Sequence, residues 1–272
     1  MPLPAPSVSV CIPVNRGEPY LAESIRSVLD QTYRDFELVV LDNASPDRAD
    51  IIARRVGDVR IRVERTPSPV PQSEHWNRAV QLSRAQLVKL VRPTDLLHPR
   101  CLDMQVSPME ADPGLAVVAA RRHLVDDQSR VVIPRRGLSG LTGVRTGVEV
   151  ARRVVRSRSN PIGEPAGVLF RREDFFAAGG WRGDRAFTMD LDLWMRLLQF
   201  GEFLGLPEPL AASRMLRTAP DERRAVLEEQ QLLLEEIAET DTFSVRGIDL
   251  TLGRLFSPTG RFKRRAVAAV AG

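Results

Sequence analysis

The chain has 272 residues, 43% hydrophobic and 27% charged, which suits one sizeable folded core with an appendage and excludes a fibrous or disordered chain. Lys and Arg number 39 against 35 acids, a net charge of +4; that mild excess suits a small anionic ligand or a membrane surface, and with no basic stripe interleaved with aromatics it argues against a nucleic-acid partner. Two cysteines, Cys11 and Cys101, make no disulfide framework and have no partner at zinc-ligand spacing.

In chain order, "SVSVCIPV" (7–14) is a β-branched run that predicts a strand ended by Pro13. Residues 18–32 place Leu21, Ile25, Val28 and Leu29 at helical spacing. "FELVVLD" (36–42) predicts a second strand, closed by the turn cluster "NASPD". A helix over 46–56, an alternating strand "VRIRVER" (59–65), a proline-rich loop (67–72), a helix over 73–84 and the apolar run "QLVKLV" (86–91) follow. This alternation predicts an α/β domain with a largely parallel sheet, whose ligands bind beyond the carboxyl ends of the strands. Asp42, Asp47 and Asp95 fall there. No GxGxxG or GxxxxGK[ST] segment occurs, which counts against the dinucleotide and P-loop classes.

Further on, 116–126 contains a strand, and the Arg-, Gly- and Ser-rich 134–160 predicts a mobile connection with a short helix at 146–154. "AGVLFRR" (166–172) predicts a strand, "EDFFAAGGW" (173–181) a short helix closed by Gly179-Gly180, "MDLDLWMRLLQFG" (189–201) a helix, and 220–240 a long amphipathic helix. Residues 1–215 are expected to form one core and 216–272 a helical C-terminal extension with a basic tail, "RFKRR". The N-terminal "MPLPAPSVSV" lacks a basic region followed by an apolar run, and no apolar stretch approaches the ~20 residues that span a bilayer. A cytoplasmic protein is expected, with peripheral contact to anionic lipid through the tail as an option.

The segment "VSVCIPVNRGEPYLAESIRSVLDQTYRDFELVVLDNASPD" resembles the N-terminal signature of the family-2 inverting glycosyltransferases. The likeness continues in order through "WNRAV", "KLVRPTDLLHP", "GEPAGVLFRR", "AAGGW", "MDLDLWMRL" and "PEPLAASR", over roughly 7–215. It implies a GT-A type α/β/α sandwich with a mixed, mainly parallel central sheet, a nucleotide-diphospho-sugar donor (UDP-, dTDP- or GDP-linked) over the first half, and a glycan, lipid-linked or small-molecule acceptor over the second. It also implies a divalent cation, Mg²⁺ or Mn²⁺, held by hard carboxylate oxygens beside the leaving diphosphate.

The resemblance assigns roles position by position. Asp42 and Asn43 stand where an acid pair contacts the nucleobase, with Asn43 replacing the second acid; Pro13 and Asn15 line the same pocket, and Asn77 joins the substrate-binding set. Asp95 matches the acid that touches the metal, while Thr94 and Arg92 occupy positions where further acids are usual. Asp190 matches the second acid of a Glu-Asp pair and is the expected general base, kept ionised by a helix N-terminus; the first member is Met189. Glu164 is expected on the acceptor side, and Arg214 in the substrate-binding set, with Leu216 in place of a following histidine that approaches the metal or diphosphate. The same residues have plainer readings: Asp42-Asn43 as an Asx-turn, and Asp95 and Asp190 as helix caps. His75, His98 and His123 have no ligand spacing, and surface or capping positions are expected for them. Two functions are therefore open: an inverting glycosyltransferase, or a degenerate relative that binds a nucleotide-sugar or a protein without turnover.

Overall fold

The computed structural model describes residues 5–17, 19–215, 220–243, 245, 249 and 251; the basic tail and Leu216 lie outside them. Strand β1 (Val8–Val14) is buried along its whole length because it runs between two parallel neighbours, β2 (Phe36–Asp42) and β4 (Leu87–Leu90). β3 (Ile61–Arg65) adds to β2, again parallel. β9 (Val168–Arg171) then pairs antiparallel with both β4 and β6 (Leu115–Val125), and β10 (Glu202–Arg214) runs parallel to β6. Three short strands run the other way: β5 (Leu96–Leu97) and β8 (Gly143–Arg145) on β10, and β7 (Val131–Arg136) on β6. The sheet is mixed, and six of its ten strands share one direction.

Alternation along β1 sorts the two faces. Val8, Val10, Ile12 and Val14 join one apolar layer with Leu21, Ile25 and Val28 of α1 (Leu21–Leu29) and Leu102, Val106 and Met109 of α4 (Cys101–Ala111). Cys11 points the other way, into a layer with Trp76 and Val80 of α3 (Gln72–Gln81), Val150 and Val154 of α5 (Gly147–Ser157), and Leu193 and Leu197 of α7 (Met189–Leu197). Leu233, Leu234 and Ile237 of α8 (Pro220–Glu239) sit in that second layer. An aromatic cluster stiffens it: Trp181 meets Trp76 edge-on at 5.4 Å, and Phe170 stacks on Phe175 at 5.6 Å. Among the described residues, no helix is long and apolar enough to cross a membrane.

Several expectations change. Residues 134–160 form β7, β8 and α5 rather than a mobile connection, and α5 begins with a capping box between Thr146 and Glu149. Its many arginines project from edge strands and helix surface, so composition hid the order. The helix expected over 189–201 ends at Leu197. His75 is buried, not superficial, with Nε2 2.9 Å from the Leu41 carbonyl. The apolar run 86–91 carries a fully buried cation: Lys89 donates to Gln105 Oε1 at 2.7 Å and to the Val168 carbonyl at 3.2 Å. Burial pushes its pKa down.

Asn77 locks α3 to the loop before α7. Its amide donates to the Trp181 carbonyl and accepts from the Trp181 amide, both at 2.9 Å. Gly180 makes this possible: its φ is +67°, and a Cβ there would lie 2.5 Å from Asn77 Oδ1 and 3.0 Å from the Phe175 ring. Neighbouring Gly179, at φ +80°, has nothing within 4 Å. Gly179→Ala is expected to cost about 1 kcal/mol through left-handed strain alone. Gly180→Ala is expected to cost roughly 2–4 kcal/mol, because a clash at the Asn77 bonds adds to the strain; urea unfolding midpoints of the two variants check the difference.

Candidate active site

The parallel register brings strand ends together. Val14 pairs with Asp42, and Asp42 with Arg65, so the turns after β1, β2 and β3 share one edge. Asp42 is fully buried; it accepts from the Ser45 amide, three residues on, at 3.0 Å and from Arg65 Nη1, so its carboxylate pins the turn after β2. Asn43 donates to Asn15 Oδ1 at 2.6 Å and to the Val70 carbonyl at 2.9 Å, and its oxygen accepts from the Val70 amide at 2.9 Å. Pro13, Asn15, Asp42 and Asn43 thus form one neighbourhood, and the Asn43 amide ties the loop holding Val70 to it. Asp47 Oδ2 accepts from the Gly17 amide at 2.8 Å, closing the rim.

Beyond β4 the chain turns on itself, Asp95 N donating to the Arg92 carbonyl at 2.9 Å. Arg92 then grips the buried Asp95 carboxylate with a fork, Nε to Oδ2 at 2.8 Å and Nη2 to Oδ1 at 2.9 Å. Among the described residues no backbone amide donates to the Asp95 carboxylate, so it does not act as a cap for them. Thr94 leaves its hydroxyl free of hydrogen bonds to the described residues. From the far half, Glu164 pairs with Arg122 of β6. Arg122 is buried in a slot kept open by glycines: a Cβ on Gly163 would meet its Nη1 at 2.4 Å, and one on Gly137 at 2.8 Å. Burial alone would raise the Glu164 pKa, but Arg122 and Arg92 outweigh it and hold the carboxyl below its ordinary range.

Asp190 lies in the first turn of α7, two residues after Thr188, and Oδ1 is buried with no hydrogen-bond partner. Desolvation pushes its pKa up to about 7; Arg92 opposes this, Glu164 and Asp95 add to it, and the Trp181 indole N–H pulls it back. The helix end expected to favour the ionised form of Asp190 is opposed by desolvation and by two neighbouring carboxylates. Asp192 is occupied elsewhere, bound by Arg196 at 2.5 Å. Met189, where an acid was expected, is buried in the helix-packed apolar layer, which has no room for a charge.

Arg92, Asp95, Glu164 and Asp190 are thus mutually coupled from both halves of the chain. Two predicted residues stand apart. Asn77 is a brace, as described. Arg214 spends its guanidinium on Glu23 Oε2 at 3.0 Å, Ser129 Oγ at 2.9 Å and the Asp126 carbonyl at 2.5 Å, and lies 3.9 Å over the Tyr20 ring. Sequence reasoning missed Arg122, Trp181 and Glu229; the available signal for Arg122 was a charged pair, "RR", near the end of a strand pattern.

A metal held at Asp95 does not fit these residues. Both Asp95 oxygens are taken by Arg92, and among the described residues no three of His, Cys, Asp and Glu are grouped to hold an ion.

The fold and this strand-end site define an α/β transferase of the GT-A type, and comparison with known proteins agrees. The glycosyl transferase family 2 model matches residues 9–176, more than half of the chain. The chain belongs to glycosyl transferase family 2. It is 30% identical over 244 residues to "Uncharacterized protein MT1568" of Mycobacterium tuberculosis, covering 84% of this chain and 75% of the relative. It is 25% identical over 201 residues to "Putative glycosyltransferase EpsE" of Bacillus subtilis, covering 72% and 68%. The structure of S. aureus TarS 1-349 superposes with a TM-score of 0.67 at 17% identity, over 94% of this chain and 74% of that one. Its complex with UDP-GlcNAc superposes at 0.65 and 16% identity, over 86% and 67%.

The loop that leads into the helix carrying Asp190 is held from a distance. Glu229 of α8 accepts from the amides of Ala186 (3.1 Å), Phe187 (2.9 Å) and Thr188 (2.7 Å) and from the Thr188 hydroxyl (2.7 Å). Glu229→Ala is expected to destabilise the protein by about 1–3 kcal/mol, since three amides lose their charged acceptor; Glu229→Gln should recover part of this. Chemical denaturation of both variants measures it.

Proposed function

We propose that this chain transfers a sugar, with inversion, from a nucleotide-diphospho-sugar to an acceptor hydroxyl, with Asp190 as general base. The observation that carries the reading is the unpartnered, buried carboxylate oxygen of Asp190 inside a cluster of fixed charges. The acceptor oxygen attacks the anomeric carbon as the bond from that carbon to the diphosphate oxygen breaks. The diphosphate leaves with the bonding electrons, and the acceptor's proton passes to Asp190. A pKa near 7 suits this, because the group is substantially ionised at neutral pH and still basic enough to take a proton.

The strand-end pocket around Pro13, Asn15, Asp42 and Asn43 takes the nucleoside, and Glu164 faces the acceptor. UDP and UDP-GlcNAc, which TarS binds in its complexes, are the natural first donors to try, with dTDP- and GDP-sugars beside them. The acceptor is a glycan, a lipid-linked sugar or a small molecule. A second reading, a binding module without turnover, is favoured by one observation: Met189 and Thr94 stand where further acids were expected, and Asp95 and Glu164 are each held by an arginine.

Release of nucleoside diphosphate from a donor panel, wild type against Asp190→Asn, separates the two. Loss of roughly 10²–10⁴ in turnover in the variant is expected if Asp190 is the base. Tight UDP binding with no release from any donor, in the presence of cell-extract acceptors, would favour the binding module. The pH dependence follows from the sign of the shift. Asp190 acts deprotonated and its pKa is raised to about 7, so kcat/KM should be level above that pH and fall about tenfold per unit below it.

A further inference from the structure

A leaving diphosphate needs positive charge beside it, and the residues around Asp95 include a fixed cation. Arg92 uses two of its nitrogens on Asp95 and leaves Nη1 without a hydrogen-bond partner among the described residues. The ion pair is oriented: the Asp95 side chain is fully buried, whereas that of Arg92 is 31% exposed. Its cationic side therefore faces outward at the carboxyl end of β4, next to the nucleoside pocket at the ends of β1 and β2. Burial works against the charge on Arg92, but Asp95, Glu164 and Asp190 surround it and hold its pKa above the ordinary arginine value. It is a permanent cation in a fixed place.

Charge counting points the same way. Arg92 balances Asp95 and Arg122 balances Glu164, so these four groups sum to zero before Asp190 is counted. A hard divalent ion is held by a surplus of carboxylate oxygens. Here a cation would have to displace a bidentate guanidinium from a buried acid, and among the described residues no three of His, Cys, Asp and Glu are grouped to receive it. A guanidinium edge, by contrast, matches the spacing of phosphate oxygens and needs no other ligand.

We infer that Arg92 is the resident counter-charge for the donor's diphosphate, and that this chain binds its nucleotide without a divalent metal. The inference rests on the donor-binding reading above. Calorimetric titration of the full chain with UDP, dTDP and GDP, in EDTA and again in Mn²⁺, tests it without any variant. The expected result is the same Kd within about twofold in both buffers for whichever nucleotide binds. Binding that appears only with Mn²⁺, or tightens tenfold or more with it, overturns the inference and leaves the donor reading intact. Failure of all three nucleotides in both buffers overturns the donor reading and the inference with it. The charge-neutral double variant Arg92→Gln/Asp95→Asn avoids stranding a buried acid. In EDTA it should bind UDP at least tenfold more weakly than wild type while uridine binding is unchanged, provided UDP is the nucleotide that binds. Equal losses for UDP and uridine, or no loss for either, would sink the role of Arg92.

Discussion

Much of this structure turns on one fork, the two hydrogen bonds from Arg92 to the buried carboxylate of Asp95. A carboxylate taken fully out of water is tolerated only with a close, well-aligned partner, and removing that partner costs about 3–5 kcal/mol. The pair is made within one four-residue turn at the end of a central strand, Arg92 to Asp95. Once in place, it sets the electrostatic reference for everything around it. Glu164 is drawn below its usual pKa partly by Arg92. Asp190 feels Arg92 in one direction and Asp95 and Glu164 in the other, and desolvation decides the balance.

The proton affinity of Asp190 also depends on where its helix starts, and that position is fixed from outside. α7 has no side-chain cap hydrogen bond from Thr188; Glu229 of α8 instead holds the amides of the loop that enters it. Arg185 and Glu236 pair at 2.5 Å beside it, and Leu233 and Leu234 bury against the same layer as Met189. On the opposite side Asn77 clasps Trp181, whose indole faces Asp190. The carboxylate is therefore held between an N-terminal helix and a C-terminal one. The replacement of an acid by Met189 belongs to this arrangement, since that side chain is part of the packing that seats α8.

Elements with strong periodicity were legible in the sequence. The runs at 7–14 and 36–42 became β1 and β2, and the helical spacing of Leu21, Ile25 and Val28 became the buried face of α1. Elements whose order comes from partners were not. β7 and β8 are short, Arg-rich edge strands that exist because β6 and β10 offer them a ladder. β5, two residues long, is defined only by its pairing with β10. Lys89 broke the apolar pattern of its strand invisibly, because its amine is satisfied by Gln105 and Val168, far away in sequence. Arg214, expected among the substrate-binding residues, ties α1 to the β6–β7 hairpin.

By itself, the sequence determined the class. An alternation of apolar runs and amphipathic stretches admits few arrangements other than a largely parallel sheet with acids at its strand ends. The order of motifs from "VSVCIPV" to "MDLDLW" carries the family. Local chemistry, such as the carboxylate of Asp42 bonding the turn that follows it or the fork between residues three apart, was also within its reach. Only the tertiary structure decided how the charges pair. Whether Arg92 faces Asp95 or solvent, whether Asp190 is ionised, and whether Glu164 stands free or is held by Arg122 depend on through-space distance and on water exclusion. Those are properties of the packed sheet and its two helical layers, and no spacing along the chain encodes them.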